Sequence, residues 1–183
     1  MNIINTSIDG LKIFEPKIFE DERGTFIKTF NDEFFQKNGL NISIKETYCS
    51  ISHKDVIRGM HFQTPPHEHL KVVYVSFGKI LDVVLDIRKN SPTYGESFSI
   101  ELSNINRKVL IIPEGLAHGF KSLVDNTNVI CMQTSCYSPE NDSGIRYDSF
   151  NFNWDCEKPI ISKKDQQLSL FGDFKTPFVG EYN

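Results

Sequence analysis

The sequence lacks the features that mark several large classes of protein. No stretch approaches the roughly 20 consecutive apolar residues of a membrane-spanning helix, and no basic segment followed by an apolar run marks a signal peptide at the N-terminus. There is no excess of positive charge either, since the 183 residues carry a net charge of −4. This charge balance argues against nucleic acid or an anionic membrane as a partner, and we expect a cytoplasmic protein.

Cysteine is scarce, and its spacing does not indicate a cross-linked or zinc-binding fold. The four cysteines Cys49, Cys131, Cys136 and Cys156 form no C-x-x-C pair. We therefore expect free thiols in a reducing compartment. A chain of this length can bury a hydrophobic core without disulfides or a structural metal, so one domain over residues 1–183 is predicted.

What the sequence does contain is a series of short segments in which polar and apolar residues alternate. Turn residues separate these segments, and no helical crossover lies between them, which predicts an all-β sandwich or barrel. Asn31 can cap a short helix that ends at Lys37, and a second helix is expected to begin at Ser162. The predicted strands include Lys71–Ser76, Ile80–Ile87, Ser97–Leu102, Lys108–Ile112, Phe120–Leu123 and Val129–Tyr137.

Titratable side chains are concentrated between Arg58 and Lys71, just before a predicted strand. His61 lies in this stretch, Asp82 follows on the next strand, and His118 is expected in a turn flanked by Pro113 and Gly119. Such groups pointing into a barrel would have to pair with one another, which is how active sites shift pKa values. From spacing alone, a solvated Lys71 is equally acceptable, and a half-buried structural role would be the better interpretation of His61 if it stood alone.

Other polar residues allow more than one interpretation. His67 and His69 form an H-x-H pair that His118 could complete as a metal site, but no Glu follows between Leu70 and Phe77. Each of three arginines, Arg23, Arg58 and Arg146, has a glycine beside it or one residue away, which suits bidentate phosphate binding, although solvated surface arginines fit equally well. Asp165, three residues after Ser162, could simply close a capping box.

Several motifs in a fixed order resemble one enzyme family. They are D-E-R-G-T-F, R-G-M-H-F-Q, L-K-V-V-Y-V, G-K-I-L-D-V-V-L-D-I-R, S-P-T-Y-G, L-I-I-P-E-G-L-A-H-G-F, T-S-C-Y-S-P, G-I-R-Y-D and I-S-K-K-D. Together they resemble the nucleotide-4-keto-sugar 3,5-epimerases, from about Ile13 to Asp165. The resemblance implies a small cupin-type jelly roll, a homodimer that shares N-terminal strands, and no metal or cofactor. It also implies a nucleotide-diphosphate sugar as substrate and a role in deoxy-sugar or surface-polysaccharide biosynthesis.

The resemblance also implies roles for individual residues. His61 would be the base that removes a proton next to the 4-keto group, and Asp165 would orient it. Lys71 would stabilise the enolate oxygen, supported by Asp82 and His118. The substrate would contact Arg58, Arg23 (from the partner chain), Phe26, Tyr137, Gln63 and Arg146.

The chain departs from the family where the acid is expected. The usual tyrosine is replaced by Cys131. Either this thiol is the acid, or water reprotonates the sugar, or only C3 is inverted. A strand register shifted by one residue would place Met132 there, and Met132 cannot donate a proton.

The nucleotide-facing positions depart as well. Lys28 and Glu46 stand where the family has Glu and Gln, and Tyr48 replaces an Asn. Glu46 could accept hydrogen bonds from the N1–H and 2-amino group of guanine, so a GDP-linked or dTDP-linked 4-keto sugar is predicted, with GDP favoured. The competing functions are a 3,4-ketoisomerase, a metal-binding cupin and a sugar-binding relative without catalytic activity.

Overall fold

A computed structural model describes residues 1–180, so the last three residues of the predicted domain lie outside it. Two short helices, α1 (Asp32–Lys37) and α2 (Lys163–Gln166), accompany the strands, with a 3₁₀ turn over Phe171–Asp173. No helix within residues 1–180 is long and apolar enough to cross a membrane. The strands are β1 (Asn2–Asn5), β2 (Lys12–Glu15), β3 (Ile18–Asp21), β4 (Gly24–Ile27), β5 (Glu46–Ser52), β6 (Ile57–Gln63), β7 (Lys71–Phe77), β8 (Lys79–Asp86), β9 (Ser97–Ser103), β10 (Val109–Ile112), β11 (Leu116–Ser122), β12 (Thr127–Gln133) and β13 (Asp142–Gly144).

Two antiparallel sheets pack face to face. The first has the strand order β1-β2-β10-β7-β12-β5 and the second the order β13-β6-β11-β8-β9, while β3 and β4 form a separate hairpin. The predicted all-β, cupin-like fold is therefore confirmed. Because side chains alternate across each strand, every strand of the sandwich contributes one row of residues to the space between the sheets.

Apolar side chains fill three layers. The inner layer lies between the sheets and includes Val73, Val75 and Cys131. Helix α1, which Asn31 caps as predicted, covers the outer face of the first sheet with Phe35. Segments that follow β13 cover the outer face of the second sheet, where Trp154 is buried. The space between the sheets is otherwise filled by apolar side chains, so the few polar side chains that point into it identify a candidate site.

Two of the predicted strand boundaries were wrong. His118 lies inside β11, not in a turn, because Gly119 is a point of close approach: a side chain there would meet Arg58 O at 2.8 Å. Strand β12 ends at Gln133, and the main-chain N–H of Tyr137 donates instead to Oε2 of Glu46 over 2.7 Å. Gln133 pairs with Glu46, which is the first residue of β5. After Gln133, β12 therefore has no further residue of β5 to pair with.

Gly59 lets the paired strands β6 and β11 approach each other closely at a register shift. Its φ is +124°, a conformation that L side chains rarely adopt, and a Cβ there would lie 2.5 Å from Cα of Gly119. The main-chain N–H of Gly59 also donates to Oδ2 of Asp165 over 3.3 Å. The glycine next to Arg58 is therefore required by the backbone, and it helps to place a carboxylate.

We expect Gly59→Ala to lower the free energy of unfolding by roughly 2–5 kcal/mol, because it adds backbone strain and a backbone contact that cannot relax. Gly24→Ala is a matched control, since Gly24 has a φ of +113° but no atom near its added Cβ. It should cost only the strain, roughly 1–3 kcal/mol. Urea unfolding of the two variants measures the difference, and equal losses would mean that the contact with Gly119 costs nothing.

Candidate active site

A cavity of about 370 Å³ opens between the two sheets. The first sheet supplies one wall through β5, β7 and β12, and the second sheet supplies the opposite wall through β6 and β11. Helix α2 and its cap close one side. The lining residues are Tyr48, Ser50, Arg58, His61, Lys71, His118, Phe120, Val129, Cys131, Ser162, Lys164 and Asp165.

His61 and Asp165 form a pair on the wall of the second sheet. Nε2 of His61 lies 2.8 Å from Oδ1 of Asp165, and the imidazole is one-third exposed to the cavity. Burial raises the pKa of Asp165, but hydrogen bonding to His61 and Gly59 outweighs it and holds this pKa below its usual value. A carboxylate that stays ionised fixes the Nε2–H tautomer of the imidazole and leaves Nδ1 as the basic nitrogen.

Asp165 does not close a capping box. The hydroxyl of Ser162 caps α2 by accepting the main-chain N–H of Asp165 over 3.0 Å, as the spacing predicted. The carboxylate of Asp165, however, points to His61 rather than back to the cap. The capping signal therefore located the helix, while the side chain belongs to the cavity.

Lys71 points into the sandwich from β7, on the wall opposite His61. Only 6% of Lys71 is exposed, and its Nζ donates to the main-chain oxygen of His61 over 2.9 Å. Burial lowers the pKa of Lys71, an effect that the nearby Cys131, Asp142 and Asp82 oppose. The solvated alternative for Lys71 is wrong, and an ammonium group is available to bind an anionic oxygen in the cavity.

Behind the cavity, His118 contacts a fully buried carboxylate. Nε2 of His118 lies 2.9 Å from Oδ2 of Asp82, while Oδ1 of Asp82 has no hydrogen-bond partner among residues 1–180. Burial raises the pKa of Asp82, and the hydrogen bond from His118 opposes that shift. Of the two, only His118 lines the cavity, so Asp82 acts by orienting it.

Cys131 faces the cavity, and Met132 points to the other face of the first sheet. Cys131 lies in the inner layer, whereas Met132 packs on the outer layer beneath α1. The register directly opposes Cys131 to Tyr48 on β5. The alternative that placed Met132 in the site is therefore excluded.

Arg58 is the predicted phosphate ligand that reaches the cavity. Its Nε donates to Oγ of Ser52 over 3.1 Å, which leaves the remaining guanidinium N–H groups available at the cavity mouth. Arg146 does not line this cavity, and Asp148 holds it in an ion pair at 2.8 Å. Arg23, Phe26 and Lys28 lie on or next to the β3–β4 hairpin and do not line it either.

A second cavity, of about 280 Å³, adjoins the first through shared walls. The amide of Gln63 donates to the main-chain oxygens of His67 and Cys136, so Gln63 organises the loop beside it. Burial, with the nearby Lys71, lowers the pKa of His69 to about 4, and its Nε2 has no partner in the described chain. The lining residues are Glu46, Tyr48, His61, Phe62, Gln63, His69, Lys71, Gln133, Tyr137, Asp142 and Lys164.

The three histidines of the alternative metal site do not come together in the structure. His67 is exposed, His69 lines the second cavity, and His118 pairs with Asp82. No group of three or more His, Cys, Asp or Glu side chains within residues 1–180 is arranged to hold a metal ion.

Some cavity residues were missed in the sequence. Lys164 lines both cavities and forms an ion pair with Asp142, which raises the pKa of Lys164. Ser50 lines the first cavity beside Tyr48. Lys164 could have been predicted because it lies directly before Asp165 in the motif I-S-K-K-D. Ser50 could have been predicted because it lies two residues after Tyr48 on a strand, and alternate residues of a strand share a face.

Comparison with known proteins gives one consistent family. The family profile described as dTDP-4-dehydrorhamnose 3,5-epimerase matches residues 5–173. An enzyme of that name from Methanothermobacter thermautotrophicus is 45% identical over 89% of this chain and 90% of its own length. Its namesake from Bacillus anthracis, solved with TDP and PPi bound, is 35% identical with a TM-score of 0.90, over 92% of this chain and 98% of that one. A 3′-monoepimerase from Streptomyces bikiniensis, solved with dTDP-quinovose, is 27% identical with a TM-score of 0.83, over 90% of this chain and 85% of that one.

We expect Lys71→Met to raise the stability of the protein at neutral pH, because it replaces a buried ammonium group by an apolar side chain of similar length. Burial holds the pKa of Lys71 below 10.5, so the unfolded chain keeps this proton to a higher pH than the folded chain does. The contribution of Lys71 should therefore make the stability of the wild type rise relative to that of the variant as the pH approaches about 10.5.

Thermal unfolding of wild type and variant at neutral pH and near pH 10.5 measures both effects. Lys79→Met, at an exposed position of the neighbouring strand, is the control and should change neither. A Lys71→Met variant with unchanged stability and an unchanged pH profile would mean that the Lys71 ammonium is not desolvated in the fold.

Proposed function

The chain belongs to the dTDP-4-dehydrorhamnose 3,5-epimerase family, and we propose that its inter-sheet cavity inverts C3, or C3 and C5, of a 4-keto sugar linked to a nucleoside diphosphate. Members of the family are sugar-nucleotide epimerases, and this chain is such an isomerase. The observation that carries the proposal is that one cavity is lined by the His61–Asp165 pair and by Lys71, whose buried amino group reaches from β7 to the main-chain oxygen of His61. A base and a cation in the same cavity are what proton abstraction next to a ketone requires.

The first step is the removal of a proton by His61. Nδ1 of the neutral imidazole takes the proton from the carbon next to the C4 ketone, and the pair of electrons of the C–H bond forms a C=C bond to C4. Asp165 stabilises the imidazolium that results and keeps the ring in place. The hydrogen bonds of Asp165 to Gly59 and His61 hold this pair on the backbone of β6.

The second requirement is stabilisation of the enolate. The electrons of the C4=O bond move to oxygen, and the ammonium of Lys71 neutralises the negative charge that develops there. A cation in a largely desolvated site acts more strongly than it would in water, and it needs no reorganisation during the reaction. We propose that His118, held by Asp82, contributes a second polar contact at this end of the cavity.

The diphosphate is assigned to the mouth of the cavity. Arg58 lies there with its guanidinium partly free, and a planar guanidinium suits two oxygens of a phosphate group. We propose dTDP as the first candidate nucleotide, because the relatives described above are named for dTDP sugars or were solved with TDP or dTDP-quinovose. The prediction that Glu46 recognises guanine is less favoured, since one oxygen of its carboxylate already accepts the N–H of Tyr137.

The β3–β4 hairpin supports the proposal of a homodimer. Phe19 and Phe26 are exposed on it, and their ring centroids are 6.1 Å apart. Neither residue belongs to one of the three apolar layers described above. An isolated two-stranded ribbon is marginally stable in water, so a second chain is a natural support for it. In such a dimer Arg23, whose side chain is 84% exposed, and Lys28 would approach the cavity of the partner, which agrees with their predicted roles in substrate binding.

We expect His61→Asn to lower the exchange of deuterium into C3 of dTDP-4-keto-6-deoxyglucose in D₂O by about 100-fold or more, since the general base is lost. His67→Asn is a matched control, because His67 is exposed in the loop after Pro66 and lines neither cavity. NMR of the recovered sugar measures the exchange. Wild-type exchange in His61→Asn would exclude His61 as the base.

We expect Arg58→Met to weaken the binding of dTDP by about 10- to 100-fold, because a charge-assisted hydrogen bond to phosphate is lost. Arg146→Met should bind dTDP normally, since Asp148 holds Arg146 outside the cavity. Calorimetric titrations with dTDP and with GDP measure both effects. Equal losses in the two variants would contradict this location of the diphosphate, and tighter binding of GDP than of dTDP would restore the guanine prediction.

A further inference from the structure

Inversion of a carbon centre requires a proton donor that faces the base. If His61 removes a proton from one face of the sugar ring, the new proton has to arrive on the other face. His61 belongs to the second sheet, so the donor is expected on the wall that the first sheet supplies. The need for such a donor rests on the proposed function.

Four polar side chains of the first sheet line the cavity: Tyr48, Ser50, Lys71 and Cys131. Lys71 is already assigned to the enolate oxygen. The hydroxyl of Ser50 is an alkyl alcohol and a much weaker acid than a phenol or a thiol. Two acidic groups therefore remain, the Tyr48 phenol and the Cys131 thiol.

The two groups differ in how far they reach into the cavity. Cys131 is 3% exposed and packs among the valines of the inner layer. Tyr48 lies opposite it on the edge strand β5, and 47% of this residue is exposed. The register pairs the Cα atoms of the two residues across one strand spacing, about 4.8 Å, and the side chain of Tyr48 is longer than that of Cys131 by an aromatic ring. Tyr48 is thus the more exposed residue of the pair, and it lines both cavities.

We propose that Tyr48 is the proton donor that completes the inversion. The enolate carbon takes the proton of the Tyr48 hydroxyl on the face opposite His61, a C–H bond forms, and the electrons of the C=C bond supply it. The C4 oxygen returns its electrons to the C=O bond and leaves Lys71. The tyrosinate is then reprotonated, and the imidazolium of His61 releases its proton, through solvent in the cavity.

The titration of the two groups agrees with this assignment. Burial against the cavity wall, with the nearby Cys131 thiol, raises the pKa of Tyr48, so its hydroxyl is protonated at neutral pH. The enolate carbon is a far stronger base than tyrosinate, so a phenol with a raised pKa can still protonate it. Burial also raises the pKa of Cys131, although the nearby Lys71 and a hydrogen bond from Tyr48 oppose this.

The test separates deprotonation from inversion. Wild type, Tyr48→Phe, Cys131→Ala and Tyr94→Phe are incubated in D₂O with dTDP-4-keto-6-deoxyglucose and, separately, its GDP-linked mannose counterpart. NMR then gives the rate of deuterium uptake at C3 and the rate of inversion there. Tyr94→Phe is the matched control, since Tyr94 is an exposed tyrosine that stacks on Phe171 and lines neither cavity.

We expect Tyr48→Phe to keep deuterium uptake, because His61 can return a deuteron to the face from which it took the proton, while inversion falls by about 100-fold or more. Cys131→Ala should keep the wild-type ratio of inversion to uptake. Normal inversion in Tyr48→Phe, or a loss of inversion in Cys131→Ala alone, would overturn the assignment. Wild-type protein that neither exchanges nor inverts either sugar would overturn the proposed function itself, and thermal unfolding of each variant confirms that it is folded.

Discussion

The site depends on charged groups that the sandwich encloses. Lys71, Asp82 and Asp165 are all nearly buried, and each would destabilise an apolar interior if it were alone. They are tolerated because Asp165 is bound to His61 and Gly59, Asp82 to His118, and Lys71 to the main chain of β6. The compensation is incomplete, since Oδ1 of Asp82 has no partner among residues 1–180 and the pKa of Lys71 is lowered by burial. Burial of these groups therefore lowers the stability of the fold, and in the proposed reaction Lys71 would bind the negative charge of the enolate.

The two-layer architecture explains how one small cavity can perform a stereochemical task. A sandwich presents two walls that face each other, and the strand register decides which side chains occupy each wall. Here β6 presents His61 on one side, while β5, β7 and β12 present Tyr48, Lys71 and Cys131 on the other. In the proposed reaction, a planar enolate bound between the walls would meet a base on one face and acidic hydrogen-bond donors on the other. The proposed assignment of Tyr48 uses a cross-strand pair to place the phenol, so register is as important for the chemistry as residue identity.

The residues of the site could be predicted from the sequence through the resemblance of its motifs to the family, because spacing alone left Lys71 and His61 undecided, whereas periodicity indicated which side chains share a face. Alternation placed Lys71 with Val73 and Cys131 with Gln133, and a capping pattern located the helix that carries Asp165. What the sequence could not supply was contact between distant strands. Tyr48 and Cys131 are 83 positions apart, and only the pairing of β5 with β12 brings them together. Gly119 was interpreted as a turn residue for the same reason. A glycine is needed there because the backbone of Gly59, on the neighbouring strand, lies so close to it. Arg23, Phe26 and Lys28 do not line the cavity of their own chain, so their predicted roles in substrate binding rest on the proposed dimer.

The central claim is that the sugar ring lies between the two walls with His61 and Tyr48 on opposite faces. A crystal structure of the protein with dTDP-glucose, whose C4 hydroxyl prevents reaction, tests it most directly. The account predicts that C3 lies about 3–3.5 Å from the His61 imidazole on one face and from the Tyr48 hydroxyl on the other, with O4 next to the ammonium of Lys71. A sugar ring that has both His61 and Tyr48 on the same face, or one that lies outside the cavity, would contradict it.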